Sequence, residues 1–315
     1  MKIAISGATG FVGSRLVERL HTEGHRILVL TRNPTFAQKV FPSPAFPNLE
    51  IIAYTPSVSG SWQDAISGCD GVVNLAGEPI AEGRWTRERK QEILNTRKLG
   101  TQKIVEAIAK ANPHPIVLVN TSAIGYYGTS ETASFDEDSA SGNDFLAQVC
   151  QEWEAEARKV KDTNVRLVIL RFGIVLGNGG ALGKMITPFK LFAGGPIGSG
   201  QQWFSWIHLD DIVSLIIQAL TKPTMEGVYN ATAPQPVRMN DLSTTMGNVM
   251  NRPSWLPVPG FAIEAILGDG AKVVLEGQQV LPKRTLESGF EYQYPNLQSA
   301  LAEILTRKTG KFESP

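Results

Sequence analysis

Ser6-Gly7-Ala8-Thr9-Gly10-Phe11-Val12-Gly13 decides how this chain is read. It follows an apolar run, Lys2–Ser6, that reads as a strand. It opens a stretch, Phe11–Glu23, in which Val12, Leu16 and Leu20 share one helical face. A glycine loop between a strand and a helix is suited to cradling phosphate. Gly7 permits the sharp turn out of the strand, Gly10 lets backbone come close to a pyrophosphate, and Gly13 lets the helix pack tightly on the sheet. Thr9, Phe11 and Val12 sit in the same loop and first helical turn, where free N–H groups and a partial positive charge favour an anion. The plainer alternative is an ordinary glycine-rich turn, and the clean flanks argue against it.

Outward from this loop, short apolar runs alternate with helical patterns. Arg26–Leu30, Glu50–Ala53, Gly71–Leu75, Pro115–Asn120 and Arg166–Arg171 read as strands, and Thr86–Ala111 and Asn143–Lys161 as helices. Asn33–Asn48 carries Pro34, Pro42, Pro44 and Pro47 and reads as a loop. Ser61-Trp62-Gln63-Asp64 looks like the capping-box start of a short helix. Strands alternating with helices predict an α/β protein with a doubly wound parallel sheet covered on both faces. After Arg171 glycine and proline become frequent, and the chain reads as loop where a substrate region would lie. Leu209–Leu220 returns to helix and Gly227–Asn230 to strand, Pro253–Pro259 reads as a linker, and Phe261 to about Arg307 as two helices around a short extended piece. The expected division is a cofactor domain over 1–175 completed by 205–232, and a smaller, mixed C-terminal substrate domain from 176–204 and 233–315.

Composition narrows the function classes. The 315 residues carry 30 Lys+Arg and 30 Asp+Glu, and this balance disfavours nucleic acid as a partner. Cys69 and Cys150 are too few for a disulfide framework or a cysteine metal cage, sit in apolar contexts and read as inert core thiols; no metal site is expected. No apolar run approaches a membrane span. The opening residues read at once as strand rather than as a secretory leader, so a cytoplasmic compartment is expected.

The spacing G-x-x-G-x-x-G resembles that of the short-chain dehydrogenase/reductase superfamily, and the length and later motifs resemble its extended, epimerase-type branch. The resemblance implies a Rossmann-type sheet holding a nicotinamide dinucleotide. At the end of the second strand, Leu30-Thr31-Arg32-Asn33 offers no carboxylate for the free ribose hydroxyls of NAD. Arg32 can clamp a 2′-phosphate instead, so NADP (NADPH) is favoured over NAD; a solvated surface arginine is the alternative. Ile51-Ile52-Ala53-Tyr54 lacks the aspartate that relatives often carry near the adenine. By the same resemblance Leu75, Ala76 and Gly77 line the ribose and phosphates. In Asn120-Thr121-Ser122-Ala123-Ile124-Gly125-Tyr126-Tyr127-Gly128, Thr121 falls on the cofactor side and Ser122 is the hydroxyl that would polarise a substrate carbonyl or alkoxide.

The superfamily's proton-transfer pair is Tyr-x-x-x-Lys on the next helix, where the lysine lowers the tyrosine pKa and holds the ribose. That spacing of four puts both on one helix face. Here one face reads Phe145, Val149, Trp153, Ala157 and the neighbouring register Leu146, Cys150, Glu154, so the pair is absent. Tyr126 and Tyr127 are the candidate replacements, with packing at the pocket wall as the alternative for both. His208, in Trp206-Ile207-His208-Leu209-Asp210-Asp211, reads more readily as a structural brace than as a proton carrier. Arg84 and Trp85 suit either a substrate anion or a helix entry, and Trp203 and Trp206 either a pocket wall or core.

Arg84-Trp85-Thr86, Asn95-Thr96-Arg97-Lys98-Leu99-Gly100-Thr101, Leu170–Gly177, Gly227–Pro234 and Gly277–Pro282 together resemble the SDR39U-like "epimerase family protein" subgroup with its small C-terminal domain. One branch of it resembles the SulA-like, giant-chloroplast division proteins. The resemblance implies an NADP-dependent carbonyl/alcohol oxidoreductase or nucleotide-sugar epimerase acting on a small-molecule substrate. The missing pair keeps a second expectation open: a non-catalytic NADP-binding regulator, such as a cell-division protein with a partner in the division machinery.

Overall fold

The computed structural model describes residues 1–306. A central sheet holds seven parallel strands: β1 (Lys2–Ser6), β2 (Arg26–Thr31), β3 (Leu49–Ala53), β4 (Gly71–Asn74), β5 (Val117–Ala123), β6 (Arg166–Phe172) and β7 (Gly227–Ala231). Their spatial order is β7-β6-β5-β4-β1-β2-β3. The order reverses between β1 and β4, which opens a crevice at the carboxyl ends of these two strands. The helices in chain order are α1 (Phe11–Thr22), α2 (Pro34–Val40), α3 (Arg87–Lys110), α4 (Phe145–Arg158), α5 (Gly180–Lys190), α6 (Leu209–Thr221), α7 (Met239–Met250), α8 (Gly260–Leu267), α9 (Lys272–Leu275), α10 (Lys283–Glu287) and α11 (Leu297–Thr306).

Alternation along the strands builds the two sides of the sheet. Ile3, Ile5, Val29, Val73, Val119 and Val168 face one side, where Leu16 and Leu20 of α1 and Ile212 and Ile216 of α6 cover them. Ala4, Leu28, Val72, Leu118 and Leu167 face the other, under Ile104 and Ile108 of α3 and Ala157 of α4. Both faces are dry, which is why these strands read as continuous apolar runs. A separate cluster forms around Trp206, Phe189, Leu242, Met246 and Leu301, where α5, α7 and α11 pack together. The α/β class, the doubly wound sheet and the smaller C-terminal region stand as read from the sequence.

The differences from the sequence reading have local causes. Asn33–Asn48 contains α2, because Pro34 takes the first helical position, where no N–H is needed, and the Asn33 side chain accepts from Phe36 N. Ser61 does not cap: Gly60 does, and Ser61–Ile66 is a 3-10 helix. The glycine-rich stretch after Arg171 contains α5, with Pro188 tolerated near its end. α7 was not read from the sequence, and among the described residues the tail holds four helices, α8 to α11, instead of two. Pro253–Pro259 is not a free linker, since Val258 N donates to Pro196 O at 2.8 Å and Leu256 N to Gly194 O at 3.1 Å. Residues 307–315, within the expected C-terminal domain, lie outside the described residues.

A buried ion pair ties β5, β6 and α4 together beside the crevice. Arg171 Nε and Nη2 donate to Glu154 Oε1 and Oε2 at 2.8 and 2.9 Å, and both residues are buried. Burial opposes the charge on Arg171, and the carboxylate more than offsets it, so the guanidinium is held above its ordinary value. Removing Arg171 takes away the buried two-point partner of Glu154 and leaves it only the exposed guanidinium of Arg158, at 2.9 Å. Arg171→Met is expected to lower unfolding stability by ~3–5 kcal/mol, while the double variant Arg171→Met with Glu154→Leu is expected to cost clearly less than the single one, both read by urea denaturation.

Candidate functional site: a cleft at the switch between β1 and β4

The turn after β1 exists because two backbones come too close for a side chain. Gly7 lies at φ +70°, and a Cβ there would stand 2.8 Å from the Leu75 carbonyl carbon and 2.9 Å from Ala76 N. At Gly13 a Cβ would meet Gly7 O at 2.2 Å. Both distances are closer than real Cβ contacts, so glycine is required at both ends of the loop. Gly10 then serves as the N-cap of α1 with no side-chain hydrogen bond to that terminus. The other helices flanking the sheet are capped: Asn33 caps α2, Thr86 α3, Asp144 α4 and His208 α6. The first N–H groups of α1 are left for a ligand.

They face a cleft of about 260 Å³ lined by Gly7, Thr9, Gly10, Arg32, Tyr54 and Leu75–Gly77, among others. Arg32 also lines an outer groove of about 850 Å³ that runs along α3. Its side chain is exposed and forms no ion pair among the described residues. Of the other loop residues, Phe11 turns its ring toward Gly177, Gly179 and Gly180, and Val12 packs on the core. Thr121 does not line the cleft: it is buried, and its hydroxyl donates to Asn74 O at 2.9 Å. It belongs to a ladder beneath the cleft floor. Ser6 Oγ donates to Asn74 Oδ1 at 2.6 Å, and Asn74 Nδ2 donates to Asn120 Oδ1 at 2.7 Å and Thr101 Oγ1 at 3.0 Å. The registers that place Ser6 beside Asn74, and Asn74 beside Asn120, align the three strand ends. A satisfied buried network of this kind holds them rigidly.

The expected catalytic side chains cluster at the end of β5. Ser122 Oγ donates to Glu154 Oε1 at 2.8 Å. Tyr127 is buried, donates to Asn230 Oδ1 at 2.7 Å and accepts from Arg171 Nη1 at 2.9 Å. Burial outweighs the nearby guanidinium and pushes the Tyr127 phenol up to about 12. Tyr126 differs: its ring lies under the Arg171 guanidinium at 3.4 Å, and its hydroxyl has no hydrogen-bond partner among the described residues. On α4, the register facing β5 is Leu146–Cys150–Glu154, since Gly125 sits against Leu146 and Cys150, and Glu154 meets Ser122. An apolar residue and a thiol therefore stand where the Tyr-Lys pair would project. Cys150 Sγ donates to Ala123 O at 3.6 Å, and burial pushes the thiol up to about 11.

The remaining candidates are structural. His208 accepts from Asp210 N, contacts Glu303 at 3.1 Å and packs on Tyr294. Arg84 donates to Ala265 O, Trp85 to Ile80 O, and Trp206 is core. Trp203 stacks under Arg238 at 3.7 Å. The sequence reading missed Tyr54, one residue beyond β3 and buried edge-to-face on Trp62. It also assigned no role to Glu154, Arg171, Asn230 or Arg97. The only signal for Glu154 was its place in the face four and eight residues from Cys150 and Leu146. Gln278 Nε2 donates to Ile124 O, so the C-terminal region props the turn that carries Tyr126.

Comparison with known proteins agrees with this geometry. The sequence profile of the NAD dependent epimerase/dehydratase family matches residues 3–232, and that of a domain of unknown function, DUF1731, matches residues 258–304. The chain is 51% identical over 308 residues to "Epimerase family protein SDR39U1 homolog, chloroplastic" of Arabidopsis thaliana, covering 97% of this chain and 87% of that protein. It is 39% identical to "Epimerase family protein YfhF" of Bacillus subtilis, covering 98% of this chain and 100% of that one. The crystal structure of human epimerase family protein SDR39U1 (isoform 2) with NADPH superposes with a TM-score of 0.88 at 36% identity, over 98% of this chain and 100% of that one. The glycine loop, the seven-stranded sheet and the near full-length likeness agree that this chain belongs to the NAD dependent epimerase/dehydratase family.

Proposed function

We propose that the chain is an NADP(H)-binding oxidoreductase of the epimerase type, acting on a small carbonyl or alcohol substrate such as a nucleotide sugar. The observation that carries this reading is the cleft at the β1–β4 switch, where the bare N-terminus of α1 and the uncommitted Arg32 line one wall system. The residues fit a phosphorylated dinucleotide: glycine at 7 and 13 keeps the loop tight, and the N–H groups at Gly10 and beyond suit a pyrophosphate. Arg32 donates to a 2′-phosphate with a planar fork that NAD has no group to meet. The related human protein crystallised with NADPH supports the choice. When bound, the dinucleotide supplies the hydride acceptor or donor.

Tyr126 is the proton-carrying side chain in this reading. It stands at the carboxyl end of β5, its ring is held by the Arg171 guanidinium, and its hydroxyl is uncommitted among the described residues. Ser122 and Tyr127 are held by Glu154, Arg171 and Asn230 and keep the Tyr126 turn in place. We further propose the sequence-based division at about residue 175. The names of the relatives do not point to cell division, and that reading is not carried forward. One relative is named as chloroplastic, so a cytoplasmic location does not follow from the family. No helix among the described residues is long and apolar enough to cross a membrane.

Two measurements test the reading. Arg32→Ala is expected to weaken NADPH binding by at least tenfold, as read by calorimetry, with NADH changed less than threefold, since only the 2′-phosphate contact is lost; equal weakening of both would refute the role of Arg32. Across a panel of aldehydes, ketones and nucleotide sugars, any turnover is expected to fall by about 10²-fold or more in Tyr126→Phe with KM little changed. Tight NADPH binding with no turnover of any panel member would favour the non-catalytic regulator, for which the missing Tyr-Lys pair is the specific observation.

A further inference from the structure

The cation missing from α4 has a counterpart on α3. Arg97 leaves the middle of α3 and lays its guanidinium against Gly77, where a Cβ would stand 3.1 Å from Cζ and 3.2 Å from Nη2. It lies over the Trp153 ring at 5.2 Å and within electrostatic reach of Cys150. It therefore occupies the space between the cleft wall and the α4 face where a lysine would project. The side chain is partly buried and lacks an ion-pair partner among the described residues. Glu78, which follows Gly77, is engaged by Arg89 at 2.8 Å. Of the five N–H donors of Arg97, only one at Nη1 has a protein acceptor among the described residues, Ile93 O at 3.2 Å. The indole N–H of Trp153, buried beside it, also has no partner among the described residues. A half-buried guanidinium with four open donors, set against Gly77 of the cleft wall, suits oxygen acceptors on a ligand.

We propose that Arg97 is a cofactor-binding residue that donates hydrogen bonds to the ribose hydroxyls on the nicotinamide side of NADP(H), supplying from α3 the positive charge that relatives with the Tyr-Lys pair carry on the helix equivalent to α4. The proposal rests on the dinucleotide reading above. It extends that reading to a residue and a half of the ligand that the glycine loop and Arg32 do not touch. It also gives a reason for glycine at position 77: a Cβ there would crowd the guanidinium at 3.1–3.2 Å and force it to shift.

The test separates the two halves of the ligand. Calorimetry on the full chain is run with NADPH and with adenosine 2′,5′-bisphosphate, which lacks the nicotinamide half. Arg97→Met is expected to weaken NADPH at least tenfold and leave the bisphosphate within twofold of wild type, with Arg97→Lys in between. Gly77→Ala, which keeps the arginine but crowds it, is expected to weaken NADPH more than the bisphosphate, and by less than Arg97→Met does. Arg97→Met binding both ligands like wild type would overturn the proposal, and so would equal weakening of both, which marks a merely structural role. Failure of wild type to bind the bisphosphate would instead sink the dinucleotide reading itself.

Discussion

The contact on which the rest of the molecule depends is backbone against backbone at the end of β1. Gly7 and Gly13 bring the turn, the first helical residues and the Leu75–Ala76 segment within distances that exclude any side chain. This close packing fixes the axis of α1 on the sheet and leaves its N-terminus bare beside the β4 end. A polar ladder from Ser6 through Asn74 to Asn120 then locks three strand ends at one level. The cleft is what remains between these constraints.

A second layer of order surrounds the first. Arg171 joins β6 to α4 through Glu154 and to the β5 turn through Tyr127, and its free face supports Tyr126. One buried charge thus braces three elements and holds the ring of a tyrosine, in a region where isolated charge would be costly. The C-terminal region takes part as well: Val280 pairs beside Phe135, and Gln278 holds Ile124. The segment matched by the second family profile begins at residue 258, so this support comes from the part of the chain outside the cofactor sheet.

The glycine-loop end of the cleft was legible in the sequence because it is built from backbone. Glycine spacing after a strand states where the chain must turn and where a helix must begin, and Arg32 follows β2 by one residue. The cluster at the end of β5 was not legible, because its groups come from distant positions. Glu154 and Arg171 meet only when α4 packs on β5 and β6, and Arg97 gains meaning only when α3 places it beside Gly77 and Cys150. The periodicity of α4 left two faces open, and packing against Gly125 selected Leu146–Cys150–Glu154.

The sequence by itself determined the alternating strands and helices, the parallel sheet, the glycine turn and the absence of the Tyr-Lys pair. These are properties of local pattern, and local pattern survives without knowledge of neighbours. Only the tertiary structure decided which hydroxyls are tied and which is open, that Thr121 lies beneath the cleft and not on its wall, and that the Arg97 guanidinium from α3 lies between Gly77 and Trp153 of α4. Hydrogen bonding and desolvation depend on what lies within a few ångströms in space, and for this chain those neighbours are tens of residues away along it.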